Sequence, residues 1–172
     1  MLLKLATFLR FALERDDMAL TSLREELLAI ELYLDIEKVR LSDRLSVELK
    51  VTEAAYRCSV PSLLLQPVVE NAIKYAIARA ETGGTISVAA ECRGETLTLL
   101  VDDTGPDEPA ASGDGVRDAD ETEGVGIGLQ NIRERLMTLY GDQSEVSNED
   151  SPLGGRRVRI VLPAVGHHER MS

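Results

Sequence analysis

Four short stretches place chemistry-bearing residue types at telling spacings. In VENAIKYA, Glu70 and Lys74 are four apart, as are Asn71 and Tyr75, and Asn71 and Lys74 are three apart. On a helix these pairs are neighbours. An Asn inside an otherwise apolar helix needs a partner for its amide. One reading is a surface Glu–Lys pair with an Asn satisfied by backbone. The other is a carboxamide oxygen for Mg²⁺ and an ammonium for phosphate oxygens, since hard cations take oxygen ligands. The stretch alone leaves the two level.

In LLVDDTGPD a strand runs into two acids and a Gly turn. Asp103 at its end could accept from an exocyclic amine, which separates adenine from guanine. By itself a plain turn explains it better. In GVGIGLQNIRERL, Gly124, Gly126 and Gly128 alternate, Leu129 follows, and a helix begins. Alternate glycines admit close approach of the backbone. A helix start offers free N–H groups and partial positive charge, which suits an anion, most often a phosphate. LGGRRVRIVLP carries a glycine pair into a strand, which alone is only a turn.

Two familiar glycine loops are excluded. A dinucleotide fold needs an apolar strand just before a GxGxxG spacing, but here DADETE precedes GxGxGL. A Walker-type loop needs a following Gly-Lys-Ser/Thr. The net charge of −11 over 172 residues argues against nucleic-acid partners and against docking on an anionic membrane. Cys58 and Cys92 form no motif and read as two reduced, buried thiols in a cytosolic protein. No apolar run approaches a membrane span.

The elements that must position these residues follow from periodicity. LLKLATFLRFALE predicts a helix, with Leu2, Leu5, Leu9 and Ala12 on one stripe. A second helix starts at Thr21-Ser22, where Ser22 and Glu25 match a capping box, and runs to about Leu41. Leu23, Leu27, Ile30, Leu34 and Leu41 form one apolar stripe, and Leu28, Leu32, Ile36 and Val39 another. Arg44 to Val51 alternates as a strand. Pro61 opens a third helix reaching to Ala80, with Pro67 starting or kinking its main part. TISVAAEC and ETLTLLVD form a hairpin about Arg93-Gly94. Asp103 to Glu123 is a long polar loop, expected to be a mobile lid. A helix after the glycines ends near Tyr140, and RRVRIVLP closes as a strand. Helices grouped on one face of a mixed sheet would bury these stripes.

The order of the four stretches resembles the ATP-binding domain shared by gyrase, Hsp90, sensor histidine kinases and MutL. LQPVVENAIKYAI and GIGLQNIRERLMTLYG are similar to the LytS-like branch of sensor histidine kinases, as is LATFLRFALE…ELLAIELYLDIEKVRLSDRL upstream. The resemblance reaches to Pro163. It implies an α/β (α+β) fold, a two-layer sandwich of a mixed β-sheet with helices on one face (the Bergerat, or GHKL, fold), preceded by two helices. Residues 1–43 would be a helical dimerisation segment, 44–166 the catalytic domain and 167–172 a disordered tail.

By the same resemblance, Asn71 would coordinate Mg²⁺ on the ATP phosphates, Lys74 would reach those phosphates, and Tyr75 would line the pocket. Asp103 would accept from the adenine amine, with Gly105 allowing close approach. Gly124, Gly126 and Gly128 would hinge the lid and present N–H groups, with Leu129 packed beneath. Glu70 would be a base or an orienting group. Three departures stand out. Asp107 replaces a customary Gly, Arg156 stands where Thr is frequent, and the phosphoacceptor His is absent, since His167 and His168 lie in the tail. The resemblance implies the C-terminal catalytic part of a two-component kinase, cytoplasmic, with no direct membrane contact. This piece would be unable to autophosphorylate alone. The intact protein would dimerise, bind Mg-ATP, phosphorylate a His and relay to a response regulator. The rivals are a nucleotide-gated interaction module that transfers no phosphate, and an anti-sigma-factor-type serine kinase, against which the upstream helices argue.

Overall fold

The computed structural model describes Ala6, residues 19–105 and residues 119–166, with the backbone course alone for 119–127. The expected first helix, most of the expected lid including Asp107, and His167 and His168 lie outside the described residues.

A five-stranded mixed sheet forms the centre, in the order β2-β4-β5-β7-β6. These strands are β2 (Leu45–Val51), β4 (Gly84–Arg93), β5 (Thr96–Asp103), β6 (Glu145–Asp150) and β7 (Arg156–Pro163). β2 and β4 are parallel and every other pairing is antiparallel. β4 and β5 make the expected hairpin, with Arg93 opposite Thr96 and Gly94 at φ 58°. A second, two-stranded ladder joins β1 (Leu20–Ser22) to β3 (Ser59–Pro61).

Helices cover one face. Strand alternation sends Ile86, Val88, Ala90, Leu97, Leu99, Val101, Ile160 and Leu162 into the core. There they meet α1 (Leu23–Leu41) through Leu23, Leu27, Ile30 and Leu34. They also meet α3 (Gln66–Ala72) through Val68 and Val69, and α4 (Ala119–Tyr140) through Leu129, Ile132 and Leu136. A short helix, α2 (Glu53–Tyr56), packs at the end of β2. The core is aliphatic, as a chain with 3% aromatic residues requires.

The Ser22 cap forms as expected. Its side chain accepts from the Glu25 N–H at 3.3 Å, and the Glu25 carboxylate accepts from the Ser22 N–H. The second apolar stripe of α1 points away from the core, with Leu28 51% and Val39 65% exposed.

Three expectations are corrected. Pro61 ends β3 instead of opening a helix. Residues 62–65 form a turn, with Leu63 at φ 57°, and α3 starts at Gln66 with Pro67 in its first turn. The cause is tertiary. The buried carboxylate of Glu26 on α1 accepts from the N–H of Leu63 and of Leu65, each at 2.9 Å, and so holds the turn open. Next, α4 starts at Ala119 and runs through the glycines, where a start after them was expected. ADETE supplies helix formers and acids suited to the positive end of the helix dipole. Last, EVSNED forms β6, which periodicity missed because a polar edge strand shows little apolar alternation.

Candidate functional site

Asp103 ends β5 on the helix-covered side of the sheet and is 7% exposed. Its Oδ1 accepts from the Gly105 N–H at 2.8 Å and from the Arg156 N–H at 3.2 Å. Oδ2 takes neither bond. The Asp103 carbonyl accepts from the Gly155 N–H at 3.2 Å. This weave admits no side chain at position 155, where a Cβ would lie 2.1 Å from Asp103 Oδ1 and 2.2 Å from the Gly105 nitrogen. Gly105, at φ 71°, is pressed less closely, with a Cβ there 3.0 Å from the Gly155 Cα. The DTG turn and the Gly154-Gly155 turn are therefore one structure. Burial pushes the Asp103 carboxyl above its ordinary value, and the Arg156 and Gly105 N–H groups partly oppose that.

The bond from Arg156 comes from its backbone. Any residue but proline supplies it, so the Arg that replaces the customary Thr leaves that support of Asp103 in place.

Asn71 sits near the end of α3, half-buried, against α4. A Cβ at position 128 would lie 3.2 Å from Asn71 Nδ2, so Gly128 lets the two helices meet at the carboxamide. Leu129 is buried directly after it. α3 continues into a π-helical turn, Ile73–Ile77, which carries Lys74 and Tyr75. Such turns are frequent at functional sites. Lys74 is exposed, its Nζ 4.8 Å from the Tyr75 ring centre, and the Arg79 guanidinium lies 5.6 Å from the same ring. Gly84 joins the two halves of the site. A Cβ there would strike both Ile77 at the end of the π-helical turn and the Thr104 hydroxyl beside Asp103. Glu70 is exposed and accepts from Gln66 Nε2 at 2.9 Å. Gly124 and Gly126 lie in the backbone of α4.

Sequence reasoning missed several supports. Tyr33 on α1 lies in the electrostatic field of Glu70. Burial, then Glu37 and Glu70, push its hydroxyl far above the ordinary tyrosine range. Asp102, the other acid of the pair, faces the uncovered side of the sheet. It takes a bidentate pair from Arg157, at 2.8 and 3.0 Å, and a bond from the Ser151 hydroxyl at 2.7 Å. Strand alternation could have separated these two acids, because neighbours on a strand face opposite sides. The Glu26 contacts left no sequence signal, as they join residues 37 and 39 positions apart.

Residues 61–166 match the family of histidine kinase-, DNA gyrase B- and HSP90-like ATPases, and residues 1–45 match a histidine kinase family. The chain belongs to the first of these families, and that membership implies ATP as the ligand. It is 31% identical over 156 residues to the sensor protein LytS of Staphylococcus haemolyticus, covering 90% of this chain and 27% of that protein. It is 35% identical over 143 residues to the sensor histidine kinase YpdA of Escherichia coli, covering 83% of this chain and 25% of that protein. The chain thus spans about a quarter of the length of these relatives. The fold is that of histidine kinase catalytic domains. The nucleotide-free catalytic domain of ThkA superposes with a TM-score of 0.60 at 14% identity, over 87% of this chain and 98% of that one. A mycobacterial sensor kinase, MprB, superposes at 0.55 and 19% identity, over 87% and 99%. Among the described residues no helix is long and apolar enough to cross a membrane.

Proposed function

We propose that this chain is the catalytic part of a sensor histidine kinase, binding Mg-ATP between α3, α4 and the Asp103 turn. The observation that carries the reading is the interlock of Asp103, Gly105 and Gly155 beside the Asn71–Gly128 contact. It holds one carboxylate by two backbone N–H groups while Oδ2 takes neither bond. That oxygen suits the exocyclic amine of adenine, a donor where guanine offers a carbonyl. Asn71 offers a carboxamide oxygen, and Mg²⁺ in nucleotide sites needs few protein ligands. The cation would neutralise charge on the transferring phosphoryl group.

The residues of the chain then bind and orient. Asp103 fixes the base. Lys74, exposed on the π-helical turn, reaches phosphate oxygens, and Tyr75 walls the pocket. Glu70, held by Gln66 and facing Tyr33 of α1, stands where a carboxylate could orient an acceptor brought by the helical segment. Three glycines inside α4 each cost about 1 kcal/mol against Ala in a helix. That conflict between propensity and structure supports a functional reason for them. Gly124 and Gly126 would release N–H groups to phosphate if that turn unwinds.

The acceptor would be a His outside this chain, and the phosphoryl group would pass on to a response regulator. Residues 1–43 would belong to the helical module that pairs two protomers, with α1 the part seated on the catalytic core. The test is phosphotransfer from labelled ATP to a separately supplied helical segment bearing the acceptor His. Label on that segment supports the kinase. ATP binding without label would favour the nucleotide-gated interaction module.

A further inference from the structure

Asp102 and Asp103 are neighbours at the end of β5 and face opposite sides of the sheet, yet both hold the same turn. The β5–β7 ladder ends at the pair Asp102–Arg157. Past that point the turn over residues 151–155 is fastened by side chains. On the uncovered side the Ser151 hydroxyl donates to Asp102 Oδ1 at 2.7 Å and accepts from the Leu153 N–H at 3.1 Å. The Ser151 N–H donates to the Gly155 carbonyl, and the Ser151 carbonyl accepts from the Gly154 N–H, each at 2.9 Å. Ser151 is thus the centre of the turn, and Asp102 fixes Ser151. The Arg157 guanidinium locks the Asp102 carboxylate in turn, through both oxygens. Asp102 is 5% and Ser151 8% exposed, so water competes little for these bonds.

On the covered side the same turn leads the Gly155 N–H to the Asp103 carbonyl and the Arg156 N–H to Asp103 Oδ1, each at 3.2 Å. A displacement of the turn therefore moves the donors that aim the Asp103 carboxylate. A binding group keeps its geometry only when held to within about 0.5 Å, which is what such supporting bonds achieve.

We propose that Asp102, acting with Ser151 and Arg157, is a positioning residue for the nucleotide site: it braces the turn that aims Asp103, and so sharpens the choice of a base with an exocyclic amine over one with a carbonyl. The inference rests on the reading of Asp103 as the partner of adenine. Asp102 touches no nucleotide itself. Its effect passes through Ser151 to Gly155 and Arg156, and through their N–H groups to Asp103.

The test is calorimetric titration of the full chain, in Mg²⁺, with ATP and with inosine triphosphate, which carries a carbonyl where ATP carries the amine. The parent should prefer ATP. Asp102→Asn should weaken ATP binding about tenfold and leave inosine triphosphate unchanged, so that the preference falls by the same factor. Ser151→Ala removes only the hydroxyl link and should act in the same direction, and it decides the matter if Asp102→Asn does not fold. In an Asp103→Asn background Ser151→Ala should weaken ATP binding no further, since the brace acts through Asp103. A preference kept in the folded variants beside a lowered melting temperature would overturn the proposal, because it marks the brace as structural only. An undiminished loss in the Asp103→Asn background would overturn it too. A parent that binds both nucleotides alike would instead refute the adenine role of Asp103, and this inference with it.

Discussion

Asp103 combines its proposed binding role with a stability cost. Its carboxylate is buried, and its folded-state titration lies above its ordinary value. A raised carboxyl favours folding while protonated, and that contribution is lost as pH rises through the folded value. Asp103→Asn keeps an Oδ1 acceptor for the Gly105 and Arg156 N–H groups and removes the charge. The variant should be at least as stable as the parent at neutral pH. Its advantage should shrink as the solution is acidified, in urea titrations at several pH values. It should nonetheless bind ATP more weakly, because an amide N–H₂ replaces the oxygen offered to the adenine amine. The expected loss is about 1.5–3 kcal/mol, roughly ten- to a hundredfold in Kd. Gly155→Ala makes the opposite prediction for stability. Its Cβ would fall 2.1 Å from Asp103 Oδ1. Overpacking of that kind should cost about 2 kcal/mol or more in chemical denaturation. A binding loss without a shift in the denaturation midpoint would contradict the interlocked turns.

At the scale of elements, two helix ends decide the site. The turn before α3 hangs on Glu26, whose two oxygens hold the Leu63 and Leu65 N–H groups. Glu26→Ala leaves both donors without that partner and should cost about 3 kcal/mol, read from the urea midpoint. Gly128→Ala should favour α4 by up to about 1 kcal/mol from helix propensity. It also places a Cβ 3.2 Å from Asn71 Nδ2, so the carboxamide must shift by a few tenths of an ångström. The expected signature is a raised melting temperature with weaker Mg-ATP binding, and stronger binding would contradict the Asn71–Gly128 contact. These elements also mark what the residues alone could and could not reveal. The capping box at Ser22 and the hairpin about Gly94 were legible because each rests on contacts between near neighbours in the chain, and the closing strand Arg156–Pro163 was legible from its apolar alternation. The turn over residues 62–65, the polar edge strand β6 and the early start of α4 were not. The first is imposed by a carboxylate from a distant helix, the second carries little apolar alternation, and the third overrides three glycines.

For the whole molecule, one apolar layer unites α1, α3, α4 and the sheet, so that the part joined to the helical segment shares a core with the nucleotide-site elements. Leu136, fully buried on the inner face of α4, should therefore report global stability. Leu136→Ala should cost about 2–5 kcal/mol in a single transition seen alike by all probes. The candidate site was legible as a series of four stretches, but its construction was not. Spacing could not show that the DTG and Gly-Gly turns are woven together, nor that Asp102 turns away to Arg157. The measurement that bears most directly on the central claim is calorimetric titration of the chain with ATP, with and without Mg²⁺, beside Asn71→Ala and Asp103→Ala. The parent should bind in a Mg-dependent way, with binding lost or severely weakened in both variants while each remains folded by circular dichroism. Equal binding by all three, or none by the parent, would contradict that claim.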